Sequence, residues 1–167
     1  SMATLKLSSS SSKGDFKVLD GAKELCEVVY KNWFSSTAIT NLNKSVIEIK
    51  PKNIWTSKVD LFKNDRNVGD ITFNLKGQMV IRYINPDRTE VNYILKNVSG
   101  LKLKFEVYNA EKQLQFRLIC TSKWHQLSYN YDVEPEAFDK QTDLEELLVY
   151  CGYAANLYIS IISAAAL

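Results

Sequence analysis

A chain of 167 residues is long enough for one domain with a substantial core and too short for two comfortable ones. Its 21 basic and 19 acidic side chains leave a net charge of +2, which is too balanced to argue for DNA or RNA binding from charge alone. The three cysteines, Cys26, Cys120 and Cys151, have no metal-ligand spacing and there is one histidine, His125, so a zinc site has little to be built from. Free cysteines fit a reducing compartment, where they read as small apolar fillers.

In chain order, residues 1–14 read as a mobile leader. They hold no apolar signal-peptide core, Ser1 before Met2 looks like a cloning remnant, and Ser8–Ser12 is low-complexity. Folding is expected from Asp15. From there the chain reads as strand after strand. "FKVLD" meets Asp20-Gly21, a dipeptide favoured in tight hairpins, and "ELCEVVY" follows. In "SVIEIK", Ile47 and Ile49 share one face and Val46, Glu48 and Lys50 the other. "IWTSKVDLF" and "VGDITFNL" lead through Lys76-Gly77 to "QMVIRYI", where Met79, Ile81 and Tyr83 line one face. "NPDRT" is a turn and "EVNYILK" another strand. "LKLKFEVY" alternates with Leu101, Leu103, Phe105 and Val107 inward and Lys102, Lys104 and Glu106 outward. "QLQFRLICT" repeats the pattern, with Leu114, Phe116, Leu118 and Cys120 on one side, and "KWHQLSYNY" is expected to be a further strand. About eleven strands at this spacing mark an antiparallel sandwich or barrel.

After Asp132 the alternation is expected to stop, with "VEPEAFDKQ" a connecting segment. A helix is expected over 142–167, with Thr142 and Glu145 forming a capping box and Asp143, Glu145 and Glu146 at the positive end of its dipole. Gly152 within it marks a close contact. The 21 residues Leu147–Leu167 carry no charge, enough to span a bilayer. Asn156 near the middle, the absence of Lys or Arg after Leu167, and Glu145 and Glu146 before the stretch all oppose that reading. A helix apolar on every face also suits a large core, and a barrel of about eleven strands encloses more space than its own side chains fill. A 26-residue helix would be about 39 Å long, enough to thread it.

A closed antiparallel barrel of about eleven to twelve strands, threaded by a hydrophobic C-terminal helix, resembles the tubby-like superfamily. That group includes tubby C-terminal domains, phospholipid scramblases and LURP-one-related proteins. The resemblance is one of layout over Phe16–Leu167, including "VGDITFNLKGQMVIRY" and the terminal "EELLVYCGYAANLYISIISAAAL", and no signature phrase is present. It implies one domain over 15–167 and, from members that bind phosphoinositides, a surface cluster of Lys and Arg. The residues that could supply one here are Lys76, Arg82, Lys96, Lys102 and Lys104. The competing reading is that these residues only solvate the outer wall. The scramblase branch implies calcium near the helix, and Asp132, Glu134, Glu136 and Asp139 are the carboxylates available. They lack EF-hand spacing and read better as a solvated acidic loop, so no metal or cofactor is expected.

No nucleophile elbow, phosphate loop or dinucleotide fingerprint occurs, and His125 has no partner visible in the sequence, so an enzyme is not expected. The expectation is a monomeric, cytoplasmic binding module, at most peripheral to a membrane, that meets anionic lipid head groups or a protein partner. The alternatives are a lipocalin-like carrier of a small apolar ligand, with Phe73, Tyr83, Phe105 and Phe116 lining the hollow, and a protein-interaction domain.

Overall fold

The computed structural model describes residues 4–33, 36–52, 58–98, 102–122, 129–138 and 143–165. Twelve strands run in chain order: β1 (Leu5–Ser9), β2 (Phe16–Asp20), β3 (Lys23–Tyr30), β4 (Ala38–Leu42), β5 (Ser45–Pro51), β6 (Lys58–Lys63), β7 (Arg66–Phe73), β8 (Met79–Ile84), β9 (Glu90–Asn97), β10 (Lys104–Asn109), β11 (Leu114–Cys120) and β12 (Tyr131–Pro135). One helix, α1 (Leu144–Ala165), follows. Each strand pairs antiparallel with its chain neighbours, and β1 pairs with both β2 and β12 to close the barrel.

That closure corrects the reading of residues 1–14 as a leader. Leu5 and Leu7 are buried while Lys6 faces water opposite Asp132, and β1 supplies the twelfth stave. The serines hid it, because only two apolar positions carry its alternation. A second correction concerns the end of the sheet. β12 runs on through Pro135, with Tyr131 and Val133 inward, beyond the Asp132 limit expected from the sequence. The expected strand "KWHQLSYNY" falls largely on residues 123–128, outside the described residues, as do Leu101 and Thr142. The helix is capped by Asp143, whose Oδ1 accepts the Glu145 and Glu146 amides at 3.0 and 3.3 Å.

The inward faces match the alternation. Met79, Ile81 and Tyr83 are buried, as are Ile47 and Ile49, Phe105 and Val107, and Phe116 and Leu118. Leu103, Leu114 and Phe73 are half-buried at the ends of their strands. What these faces enclose is α1. Eleven consecutive residues, Glu146–Asn156, are buried, so this helix is covered on every side. It is also the one described helix long and apolar enough to cross a membrane, and 72% of that span lies buried inside the protein. The packing is aromatic: Tyr150 meets Tyr83 edge-on at 4.9 Å and Tyr153 stacks on Tyr30 at 5.4 Å. Gly152 does mark a close contact, since a Cβ there would stand 2.5 Å from the Phe16 ring.

The polar groups of the helix are satisfied, as burial demands. Asn156 Nδ2 donates to Tyr30 Oη at 3.1 Å and to the Gly14 carbonyl at 3.2 Å. Glu146, fully buried, accepts from Lys63 Nζ and Tyr150 Oη at 2.8 and 2.7 Å.

Because the strands simply alternate in direction, successive connections alternate between two rims. The lower rim carries the β2–β3, β4–β5, β6–β7, β8–β9 and β10–β11 turns and receives the start of α1, where Asn43 and Lys63 reach Glu145 and Glu146. The upper rim carries β1–β2, β3–β4, β5–β6, β7–β8, β9–β10 and β11–β12, and there α1 ends beside Asn97 and Ser36, which bond Tyr158 Oη and Tyr153 Oη.

Candidate functional site

The two rims differ in charge. The lower connections mix signs, with Asp20, Asp65, Asp87 and Glu111 among Lys23, Lys44, Arg66, Arg88 and Lys112. On the upper rim the described connections carry Lys13, Lys31, Lys52, Lys76 and Lys102, and Lys104 opens β10 there. Their only described acid is Asp15. It is buried, accepts the Tyr30 amide at 2.7 Å and lies 3.5 Å from Lys13. Lys31, Lys52, Lys76 and Lys102 are exposed and enter no ion pair among the described residues.

Part of this asymmetry belongs to the helix. Its first turn holds Glu145 and Glu146 and its last turn has no basic residue, so the negative end of its dipole opens onto the lysines. A helix end, however, amounts to only about half an elementary charge. Four unpaired lysines exceed what it asks for.

The five residues singled out from the sequence separate into two groups. Lys76 sits exposed on the β7–β8 turn, its amide held by Asn74 Oδ1 at 2.9 Å. Lys102 is exposed in the β9–β10 connection, Lys104 is half-buried at the start of β10, and Lys96, near the end of β9, lies over the Tyr108 ring at 4.5 Å. Lys76, Lys102 and Lys104 belong to adjacent hairpins of one rim, where neighbouring strands stand about 4.8 Å apart, and Lys96 points along the wall away from it. Arg82 does not join them. It projects from the outer wall midway along β8, where Nε and Nη2 bond both oxygens of Asp70 at 3.1 and 2.8 Å. Those hydrogen bonds and the charge behind them hold the guanidinium pKa above its ordinary value. Arg82 is a fixed wall contact. With Asp70 and Glu90 it lines a shallow depression that holds two carboxylates to one cation.

The acidic stretch suggested for calcium is likewise engaged with cations. Asp132 faces Lys6 at 3.9 Å, and Arg117 reaches Glu134 at 3.0 Å and Glu136 at 3.8 Å; Asp139 lies outside the described residues. No group of three His, Cys, Asp or Glu that could hold a metal occurs among the described residues. The cysteines are buried thiols, and burial pushes the Cys26 and Cys151 pKa values up, away from reactivity. His125 is outside the described residues.

Sequence reasoning missed Lys31 and Lys52, and also the apolar tips beside them. Leu75, next to Lys76, is fully exposed, and Trp33 on the β3–β4 connection is 48% exposed. Parity was the usable signal: in an up-and-down barrel, every second connection shares a rim. Compared with protein-family models, curated proteins and solved structures, the chain finds no match.

Proposed function

We propose that this protein is a non-enzymatic binding module of tubby-like type whose upper rim recognises anionic lipid head groups, at the cytoplasmic face of a membrane and as a monomer. The observation that carries the reading is the set of exposed lysines on one rim, Lys31, Lys52, Lys76 and Lys102, in no ion pair among the described residues, with the rim's one described acid buried. A lysine near an anionic membrane surface contributes about 1 kcal/mol. Four acting together would concentrate the protein on such a surface roughly a thousandfold, as 1.4 kcal/mol is a factor of ten. The tubby-like assignment is supported by layout, a closed twelve-strand antiparallel barrel around a C-terminal helix. Buried free thiols agree with a reducing compartment. The carrier alternative asks for a hollow interior, which α1 occupies here.

Flotation with phosphatidylcholine vesicles, with and without phosphatidylserine or phosphoinositide, tests this. Binding is expected only to the anionic vesicles, and it should weaken as salt rises and the screening length falls to about 8 Å or less. The double substitution Lys76→Glu with Lys102→Glu should lower it at least tenfold. Indifference to every vesicle would overturn the reading.

A further inference from the structure

We infer that the barrel docks end-on, with the upper rim against the bilayer and the apolar tips Leu75 and Trp33 seated in the head-group layer between the lysines. This rests on the anionic-lipid reading and adds to it a pose and two anchoring residues.

Three turns of the barrel share one design. Asn74, Asn85 and Asn109 each open a hairpin whose fourth residue has positive φ, at 76° for Gly77, 69° for Arg88 and 63° for Lys112. In each, the Asn backbone amide donates to the carbonyl of the residue four positions on, at 2.9, 2.9 and 3.0 Å, and its Nδ2 donates to the side chain there. The backbone requirement is therefore the same three times. The tips are not. The two lower turns place Pro86-Asp87 and Ala110-Glu111 where the upper turn places Leu75-Lys76. Turn geometry asks for neither a leucine nor a lysine. Leu75 is nonetheless fully exposed on a tip braced by Asn74 Oδ1, which accepts the Lys76 and Gln78 amides at 2.9 and 3.0 Å. An apolar side chain held out on a rigid tip beside a free lysine is complementary to a surface with anionic heads and an apolar layer beneath.

Trp33 repeats the arrangement beside Lys31. Ser36 ties Trp33 to the core: its Oγ accepts the Trp33 amide at 3.0 Å and its carbonyl accepts the Tyr153 hydroxyl of α1 at 2.9 Å. Tryptophan favours the membrane–water boundary, where its ring is half apolar and half wet. The β3–β4 and β7–β8 connections are four strands apart in a barrel of twelve, a third of the circumference. Two anchors so spaced, with Lys52 between them and Lys102 beyond, set the rim flat on the surface and the barrel axis near its normal. Ile162, exposed near the end of α1, emerges at the same rim.

The full chain with Leu75→Cys, or with Ala110→Cys on the equivalent lower turn, can be labelled with an environment-sensitive fluorophore, since the native thiols are buried. On phosphatidylcholine–phosphatidylserine vesicles, the label at 75 should shift to the blue and be quenched by spin-labelled lipid, and the label at 110 should remain in water. Leu75→Ala should weaken flotation about tenfold. If the protein floats but both labels stay in water, or the label at 110 is the one quenched, the pose is overturned while the lipid reading survives. A shift at 75 that grows with protein concentration in the absence of vesicles overturns it in favour of contact between copies. No flotation at all removes the lipid reading, and the pose with it.

Discussion

The two rims of this barrel are built from the same strands and differ in what their connections do. The lower rim is organised around the start of the helix: Asp143 caps it, Asn43 reaches Glu145, and Lys63 neutralises the buried Glu146. Its exposed cations Lys23, Lys44, Arg66, Arg88 and Lys112 enter no ion pair among the described residues, but acids stand among them, Asp20, Asp65, Asp87 and Glu111. On the upper rim the helix is held by neutral groups, Asn97, Ser36 and the Gly14 carbonyl, and the ammonium groups of the exposed lysines enter no ion pair among the described residues.

The comparison is most severely tested by removing the helix. A chain ending at Glu146 keeps every stave and loses its filling, and is expected to aggregate with no cooperative unfolding transition by circular dichroism. A soluble, two-state product would show that the barrel stands without its core. Next in size is Lys63→Ala, which leaves the Glu146 carboxylate buried without its cation. Breaking such a pair costs about 3–5 kcal/mol, readable as a lower urea midpoint. Gly152→Val drives a side chain into the Phe16 ring, and overpacking of this kind costs about 1–3 kcal/mol. The smallest effect is the most discriminating. Lys76→Glu with Lys102→Glu should leave stability within about 0.5 kcal/mol while reducing vesicle binding. Arg82→Gln should leave vesicle binding unchanged and cost at most about 1 kcal/mol, since Lys58 still faces Asp70 at 3.6 Å. If Arg82→Gln weakened vesicle binding as much as the rim variant, the contrast between wall and rim would collapse.

The strands were legible because alternation follows from geometry alone: side chains on a strand point to opposite faces, and Met79, Ile81 and Tyr83 or Phe105 and Val107 went where that predicts. β1 was not, because a strand of Leu, Lys, Leu, Ser and Ser carries almost no pattern. It is a strand because β2 and β12 both offer it hydrogen bonds. The end of the sheet was misjudged for a similar reason, since Glu134 and Pro135 look like loop residues until β11 lies beside them. Of the proposed residues, Lys76, Lys102 and Lys104 stand at the upper rim, and Lys96 is directed along the wall to the Tyr108 ring. Arg82 was not separable from them by sequence, because its partner Asp70 is twelve residues away and becomes a neighbour only through the β7–β8 register.

By itself the sequence determined the class of structure. Repeated alternation demands a sheet with one buried face, and a closing segment with no charge and no polar stripe demands surroundings that are apolar on every side. Those two requirements are met together when the sheet closes around the helix. The tertiary structure alone decided which cations are free. A lysine is available to a ligand only if no carboxylate faces it, and cross-strand register and rim parity settle that between residues far apart in the chain.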